Sequence, residues 1–143
     1  MGTAITDGTI GKFLHAEYLP DAAGTGDWDG IQLPSDAAIT SGEFLLAQTM
    51  GNAELVLLVG DDGLTTTTGP VTVTVVTSPT SGGTFNDTVF TEVIGADTVY
   101  AVGDKLIGYI PDRDQTECYA KMVVTVTTDN LASSSVDGFI TGV

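Results

Sequence analysis

The chain has 143 residues, of which 19 are Asp or Glu and four are Lys or Arg, so its formal net charge at pH 7 is -15. Nucleic acids and anionic membranes are bound through clustered Lys and Arg, so this balance argues against both as partners. A hydrophobic fraction of 42% with a charged fraction of 16% excludes a disordered acidic tail. The acidity itself fits two explanations, solubility at high local concentration or in salt and a basic partner surface, and both stay open.

The length suits a single domain with its own core. Residues 1–42 are rich in Gly, Asp, Ala and Thr and are predicted to form an N-terminal arm and the first strands, with residues 43–143 as the body. The first residues lack the basic and apolar stretches of a secretory signal. The longest apolar run, residues 55–59, is too short to span a membrane. We therefore expect neither a secretory signal nor a membrane span.

In the first half of the chain, strand-like segments are short. Both faces of residues 10–19 carry apolar side chains, and this segment is predicted to be a strand that ends at Pro20. A short strand is predicted over residues 28–33, and residues 35–40 fit either a turn or a brief helix. Two further apolar strands are predicted over residues 44–48 and 53–59.

The second half shows a sharper pattern. Val and Thr alternate over residues 71–75, which is the period of two of a sheet with one buried face. Later strands are predicted over residues 88–94, 98–102, 105–110, 119–127 and 139–140. About eight to ten strands at a spacing of roughly 8–12 residues indicate an antiparallel sandwich or barrel. The predicted fold class is all-β, an antiparallel β-sandwich.

The residue types that most often carry catalysis are scarce, since the chain has one histidine, His15, and one cysteine, Cys118. A Cys nucleophile needs an activating base, a zinc site needs several Cys or His ligands, and a Ser triad would depend on His15 alone. Cys118 begins an apolar strand and is predicted to be a small buried hydrophobe. We predict no catalytic residue, no cofactor and no enzymatic activity.

Two acidic motifs invite a chemical interpretation. Asp61, Asp62 and Gly63 offer oxygens to a cation, but the alternating acids of a calcium loop do not follow. A hairpin turn or a longer projecting loop is therefore predicted there. In Asp112-Arg113-Asp114 the central Arg would hold both carboxylates ionised, which does not suit an acid–base pair. We predict a charged surface loop and no metal site.

Trp28, the single tryptophan, lies between Asp27 and Asp29 in a Gly-rich segment. Its large apolar area is typical of a core anchor, and tryptophan is also enriched at interface hot spots. Both interpretations stay open. Arginine is likewise enriched at interfaces, so Arg113 is a candidate for an interfacial ion pair.

The chain from residue 53 to its end resembles a known family. The features that carry the resemblance are the strand at residues 71–75, the turn at 78–85, the segment 106–111, the strand opened by Tyr119 and Lys121, and the segment 136–140. This order of strands and turns resembles the capsid cement proteins of tailed bacteriophages of the Bbp16-like type, which are small jelly-roll proteins on the outside of the phage head. In that family an aromatic and a basic residue open a strand that pairs near the end of the domain, as Tyr119 and Lys121 would here.

The resemblance implies a jelly-roll β-sandwich on the outer surface of a virion that stabilises the lattice of the major capsid protein. It also implies self-association, and a homotrimer is expected at local threefold positions. Lys12, Trp28 and Arg113, with the N-terminal arm, are the predicted contacts with the capsid or with a second copy. The alternative is a carbohydrate-binding or host-adhesive β-sandwich module on a virion, which would present a platform of aromatic rings.

Overall fold

The computed structural model describes residues 16–46, 53–112 and 118–141. The regular elements of these residues are all β-strands. In chain order they are β1 (Glu17–Tyr18), β2 (Ile31–Gln32), β3 (Ala38–Thr40), β4 (Phe44–Leu46), β5 (Glu54–Val59), β6 (Leu64–Thr65), β7 (Val71–Ser78), β8 (Asp87–Ile94), β9 (Val99–Tyr100), β10 (Lys105–Tyr109), β11 (Cys118–Val126) and β12 (Ser135–Thr141). The described part of the chain has no helix long and apolar enough to cross a membrane.

Two five-stranded antiparallel sheets form a sandwich. In the first sheet the order is β1–β12–β5–β10, with β2 also pairing with β12. In the second sheet the order is β3–β11–β7–β8, with β4 also pairing with β11. β6 and β9 form a separate two-stranded ribbon. The chain crosses repeatedly from one sheet to the other, which confirms the predicted all-β sandwich.

The core lies between the sheets and takes alternate side chains from each. Leu55, Leu57 and Val59 of β5 are fully buried, as are Val71 and Val73 of β7. β11 contributes Ala120, Met122 and Val124 at the same depth. Because each fully buried aliphatic side chain stabilises the fold by about 1.5–3 kcal/mol, this layer provides most of the driving force for folding.

The outer faces of the two sheets differ. β5 and β12 are buried on both faces, and on the outer side Val56, Leu58 and Phe139 form a second apolar cluster with Ala16 and Tyr18. β7 and β11 instead alternate between buried and partly exposed residues. The second sheet therefore presents a face to solvent along its central strands.

On one side of the sandwich, aromatic stacking joins the last strands of the two sheets. Phe90 of β8 and Tyr109 of β10 stack with ring centroids 4.6 Å apart and planes inclined by 29°. Strands at the edge of a sheet expose unpaired backbone groups, and aromatic pairs of this kind contribute about 0.5–1.5 kcal/mol beyond the area they bury. The stack holds β8 and β10 together where neither strand has a further sheet neighbour among the described residues.

Most predicted strands are present, with shifted ends. The strand that begins with the alternating Val-Thr run continues to Ser78, and β6 is an additional strand that the pattern did not predict. The interpretation of residues 35–40 as a turn or a brief helix is wrong for the second half of that segment. A bend at Asp36, whose φ is +44°, leads into β3, which pairs with Val123 to Thr125 of β11. The β-branched Ile39 and Thr40 suit this position.

Residues 17–40 contribute strands to both sheets, because β1 and β2 pair with β12 while β3 pairs with β11. The predicted strand over residues 10–19 is represented by β1 alone, since residues 10–15 lie outside the described part of the chain.

Candidate functional site

Trp28 is a core residue and has 2% of its surface exposed. Its backbone N–H donates to the carbonyl oxygen of Leu19 at 2.7 Å, and its backbone carbonyl oxygen accepts the N–H of Gly138 at 2.9 Å. The ring lies against Gly138 and Leu19. Of the two interpretations, the core anchor is the correct one: a ring this deeply buried cannot also be presented as a contact residue on the surface.

The other two predicted contact residues, Lys12 and Arg113, lie outside the described residues, as does the N-terminal arm up to residue 15. His15 lies there too. Their roles stay predictions.

The segment Asp61-Asp62-Gly63 forms a turn. The N–H of Gly63 donates to the carbonyl oxygen of Gly60 at 3.1 Å, and Gly63 has a φ of +67°, which favours glycine. The chain does not then return as a hairpin, because β6 leaves the first sheet to pair with β9. Within the described ranges, no three His, Cys, Asp or Glu side chains cluster to hold a metal ion.

Cys118 begins β11 and is partly buried. Burial raises the pKa of its thiol above the ordinary value, and this effect exceeds the opposing hydrogen bond from Thr77. A raised pKa reduces the thiolate, which is the nucleophilic form.

We expect iodoacetamide to alkylate Cys118 in the folded protein at least about threefold more slowly at pH 8 than it alkylates a short unstructured cysteine peptide. The rate should rise toward that of the peptide when the pH is raised or the chain is unfolded in urea. A folded-state rate equal to or above that of the peptide would contradict this assignment.

One polar site that the sequence did not reveal is built around Asp129, which has 3% of its surface exposed. Its Oδ1 accepts hydrogen bonds from the hydroxyl groups of Thr67 and Thr68 at 2.8 and 2.6 Å and from the Thr68 N–H at 2.8 Å. Its Oδ2 accepts the N–H groups of Thr67 and Gly69 at 2.9 and 3.3 Å. These hydrogen bonds, chiefly those from Thr68, hold the pKa of the Asp129 carboxyl well below its ordinary value.

Asp129 joins three loops. Its carbonyl oxygen accepts the Asp36 N–H at 3.0 Å, and the Asp36 carboxylate accepts the Thr128 N–H at 2.9 Å. The segment before β7, the segment before β3 and the β11–β12 connection are thereby tied at one point. With five donors on the carboxylate of a residue that is 3% exposed, the site is structural.

The surface best suited to binding is the outer face of the second sheet, which we call the threonine–valine face. It consists of Ala38 and Thr40 of β3, Thr125, Val123 and Lys121 of β11, Thr72, Thr74 and Val76 of β7, and Thr88, Thr91 and Val93 of β8. The register places these residues in rows across four strands. One row runs Ala38, Thr125, Thr72, Val93, and the next runs Thr40, Val123, Thr74, Thr91.

Among the residues that the structure describes, the threonine–valine face carries no carboxylate, although the chain has 19. β3, β7 and β11 contain no Asp or Glu. The two acids of β8, Asp87 and Glu92, are paired with Thr77 and Val73, whose side chains point to the inner side of the sheet. Lys121 is the one charged residue of the face.

At the rim of this face, Lys121 lies among groups that orient it. Its Nζ is 4.6 Å from the centroid of the Phe85 ring, a distance at which a cation is attracted to an aromatic face. Glu43 accepts hydrogen bonds from the Ser81 hydroxyl and, at 2.7 Å, from the Gly82 N–H. These bonds lower the pKa of Glu43, and the positive charge of Lys121 adds to the effect. The turn after β7 is thereby held against the start of β4.

Aromatic rings are not assembled into a platform in the described part of the chain. Trp28, Tyr18, Phe44 and Phe139 are buried, and the remaining described rings are partly buried, including the stacked pair Phe90 and Tyr109. A glycan-binding platform needs several ring faces open to solvent. This geometry gives the carbohydrate-binding alternative no specific support.

No protein-family model matches the chain, and neither a curated protein nor a solved structure is similar to it at a significant level.

Proposed function

We propose that this chain is a structural decoration protein that binds the outside of a tailed-phage head and stabilises the lattice of the major capsid protein. The observation that carries the proposal is the strand order, β1/β2–β12–β5–β10 in one sheet and β3/β4–β11–β7–β8 in the other. A jelly roll is a two-sheet sandwich made of two Greek keys, and this alternation of the chain between sheets favours that type. It is the fold that the resemblance over residues 53–143 implies.

The charge distribution supports a role in binding. An acidic exterior keeps many copies soluble at high local density, and the threonine–valine face, whose one charged residue is Lys121, allows contact with a partner without burying a carboxylate, which would be costly. Assembly as a homotrimer is part of the proposal, because decoration sites at local threefold positions are matched by a closed ring of three copies.

Stabilisation of the shell is a linkage effect, since a protein that binds only the assembled lattice lowers the free energy of that state. We expect purified chain, added in excess to undecorated expanded heads assembled from the major capsid protein of the same genome, to cosediment with them. The melting temperature of the heads should rise by several degrees in differential scanning calorimetry.

The control is the same titration with unexpanded proheads and with bovine serum albumin in place of the chain. Absence of cosedimentation with expanded heads would overturn the proposal. Light scattering of the free chain checks the trimer separately, and binding to a glycan array without binding to heads would favour the adhesive alternative.

A further inference from the structure

The threonine–valine face extends over four strands without a carboxylate among its described residues, and its chemistry is mixed. Threonine methyl groups and valines provide apolar area, and threonine hydroxyls provide donors and acceptors that rotate to suit a partner. Thr91 and Val93 are exposed, and Val93 has 58% of its surface open to solvent. Exposed apolar area bordered by polar groups is a feature of interaction sites.

We propose that this face is the side of the molecule that docks against the capsid shell. The inference rests on the proposed function and adds the orientation of the molecule on the head. The opposite face is the outer side of the first sheet, where the exposed ion pair of Lys105 with Glu54, at 2.7 Å, and the exposed Gly108 lie. That side, on which Val56, Leu58 and Phe139 are already covered, would face the medium.

The size of the face argues against a second copy as its occupant. Four strands about 4.8 Å apart and some seven residues long at about 3.3 Å each give a patch of roughly 20 Å by 20 Å. Two such patches pressed together would bury about 800 Å², whereas stable protein pairs bury about 1,200–2,000 Å².

A shell suits a contact of this size because it presents the same site many times. If three copies are linked as a trimer, three weak contacts engage together and their combined affinity exceeds that of each one. The partner surface is expected to be uncharged opposite Thr74, Thr91 and Val93, with an acceptor opposite Lys121. Such a partner would leave no charge of this chain buried without a counterpart.

The test compares substitutions that add the same charge at two places. Val93→Glu and Thr91→Glu place a carboxylate on the face, while Val102→Glu places one on the turn before β10, at a residue that is 51% exposed. We expect the first two to weaken binding to expanded heads at least about tenfold, and Val102→Glu to leave it within roughly twofold of wild type. Circular dichroism and melting temperature check that each variant is folded. If Val93→Glu does not fold, Thr91→Glu alone provides the test of the face.

The possible outcomes distinguish the proposed orientation from the proposed function. If wild type binds heads and the folded face variants bind as well as Val102→Glu, the orientation is wrong while the proposed function stands. If wild type does not bind heads, both proposals fall. If light scattering shows that Val93→Glu dissociates a wild-type oligomer that Val102→Glu leaves intact, a second copy occupies the face and the shell does not.

Discussion

Replacing Asp129 with alanine is expected to lower the melting temperature on the order of 10 °C. The change leaves five donors from Thr67, Thr68 and Gly69 without their acceptor, and the N–H of Gly69 is buried. Asp129→Asn should also be harmful, because its NH2 group would direct hydrogens at the donors that one of the two carboxylate oxygens accepts. Thermal unfolding followed by circular dichroism at pH 7 measures both effects.

The contribution of Asp129 should also depend on pH. Its folded-state pKa lies well below the ordinary value of 3.8, so above about pH 5 the carboxyl is ionised in both states and its stabilisation is complete. As the pH falls through 3.8 the unfolded chain takes up the proton first. Stability is therefore lost progressively on acidification until the folded pKa is reached. The difference in melting temperature between wild type and Asp129→Asn should shrink between pH 5 and pH 3.

Asp62→Asn is the matched control, because it removes the same charge from an exposed turn residue. It should change the melting temperature by no more than a degree or two. If Asp129→Asn lowers the melting temperature no further than Asp62→Asn does, or if the difference from wild type is constant from pH 6 to pH 3, the carboxylate does not hold the three loops.

The sequence predicts strands well where one face is buried and the other is open. Over residues 71–75 of β7 the period of two is visible because Val alternates with Thr, and the burial pattern follows it there. β5 has no alternation, since both of its faces are buried, and its length and flanking glycines identify it instead. The sequence did not predict β3 because three residues are too few to show a period, and its strand conformation depends on pairing with β11.

The candidate sites were harder to predict from the sequence than the strands. The pattern in β7 predicts that its threonines share a face, but the absence of carboxylates across four strands follows only from the register of β11, β7 and β8. Asp129 and its partners Thr67 and Thr68 are about 60 positions apart, and nothing local marks the pair. Trp28 between two aspartates fits a core or an interface equally, and only the packing against Gly138 decides it.

That packing leads to the second large effect, at Trp28 and Gly138. Trp28→Ala is expected to destabilise the fold by about 3–5 kcal/mol, because it empties a buried site the size of the indole. Gly138→Ala should lower the free energy of unfolding by about 1–3 kcal/mol through overpacking, because a Cβ on residue 138 would overlap the Trp28 ring. The ring cannot move away, since the Trp28 backbone is hydrogen-bonded to Leu19 and Gly138. Urea unfolding measures both.

The two effects should be coupled. In a Trp28→Leu background the smaller side chain leaves room for the added methyl group, so Gly138→Ala should cost at least about 1 kcal/mol less there than in wild type. Gly95→Ala is the control, because an added Cβ there meets no atom within 4 Å and should change stability by less than about 0.5 kcal/mol. An equal cost of Gly138→Ala in both backgrounds would mean that the strain has another source. A smaller cost in the Trp28→Leu background would show that glycine is required on β12 because the single tryptophan of the chain lies across it.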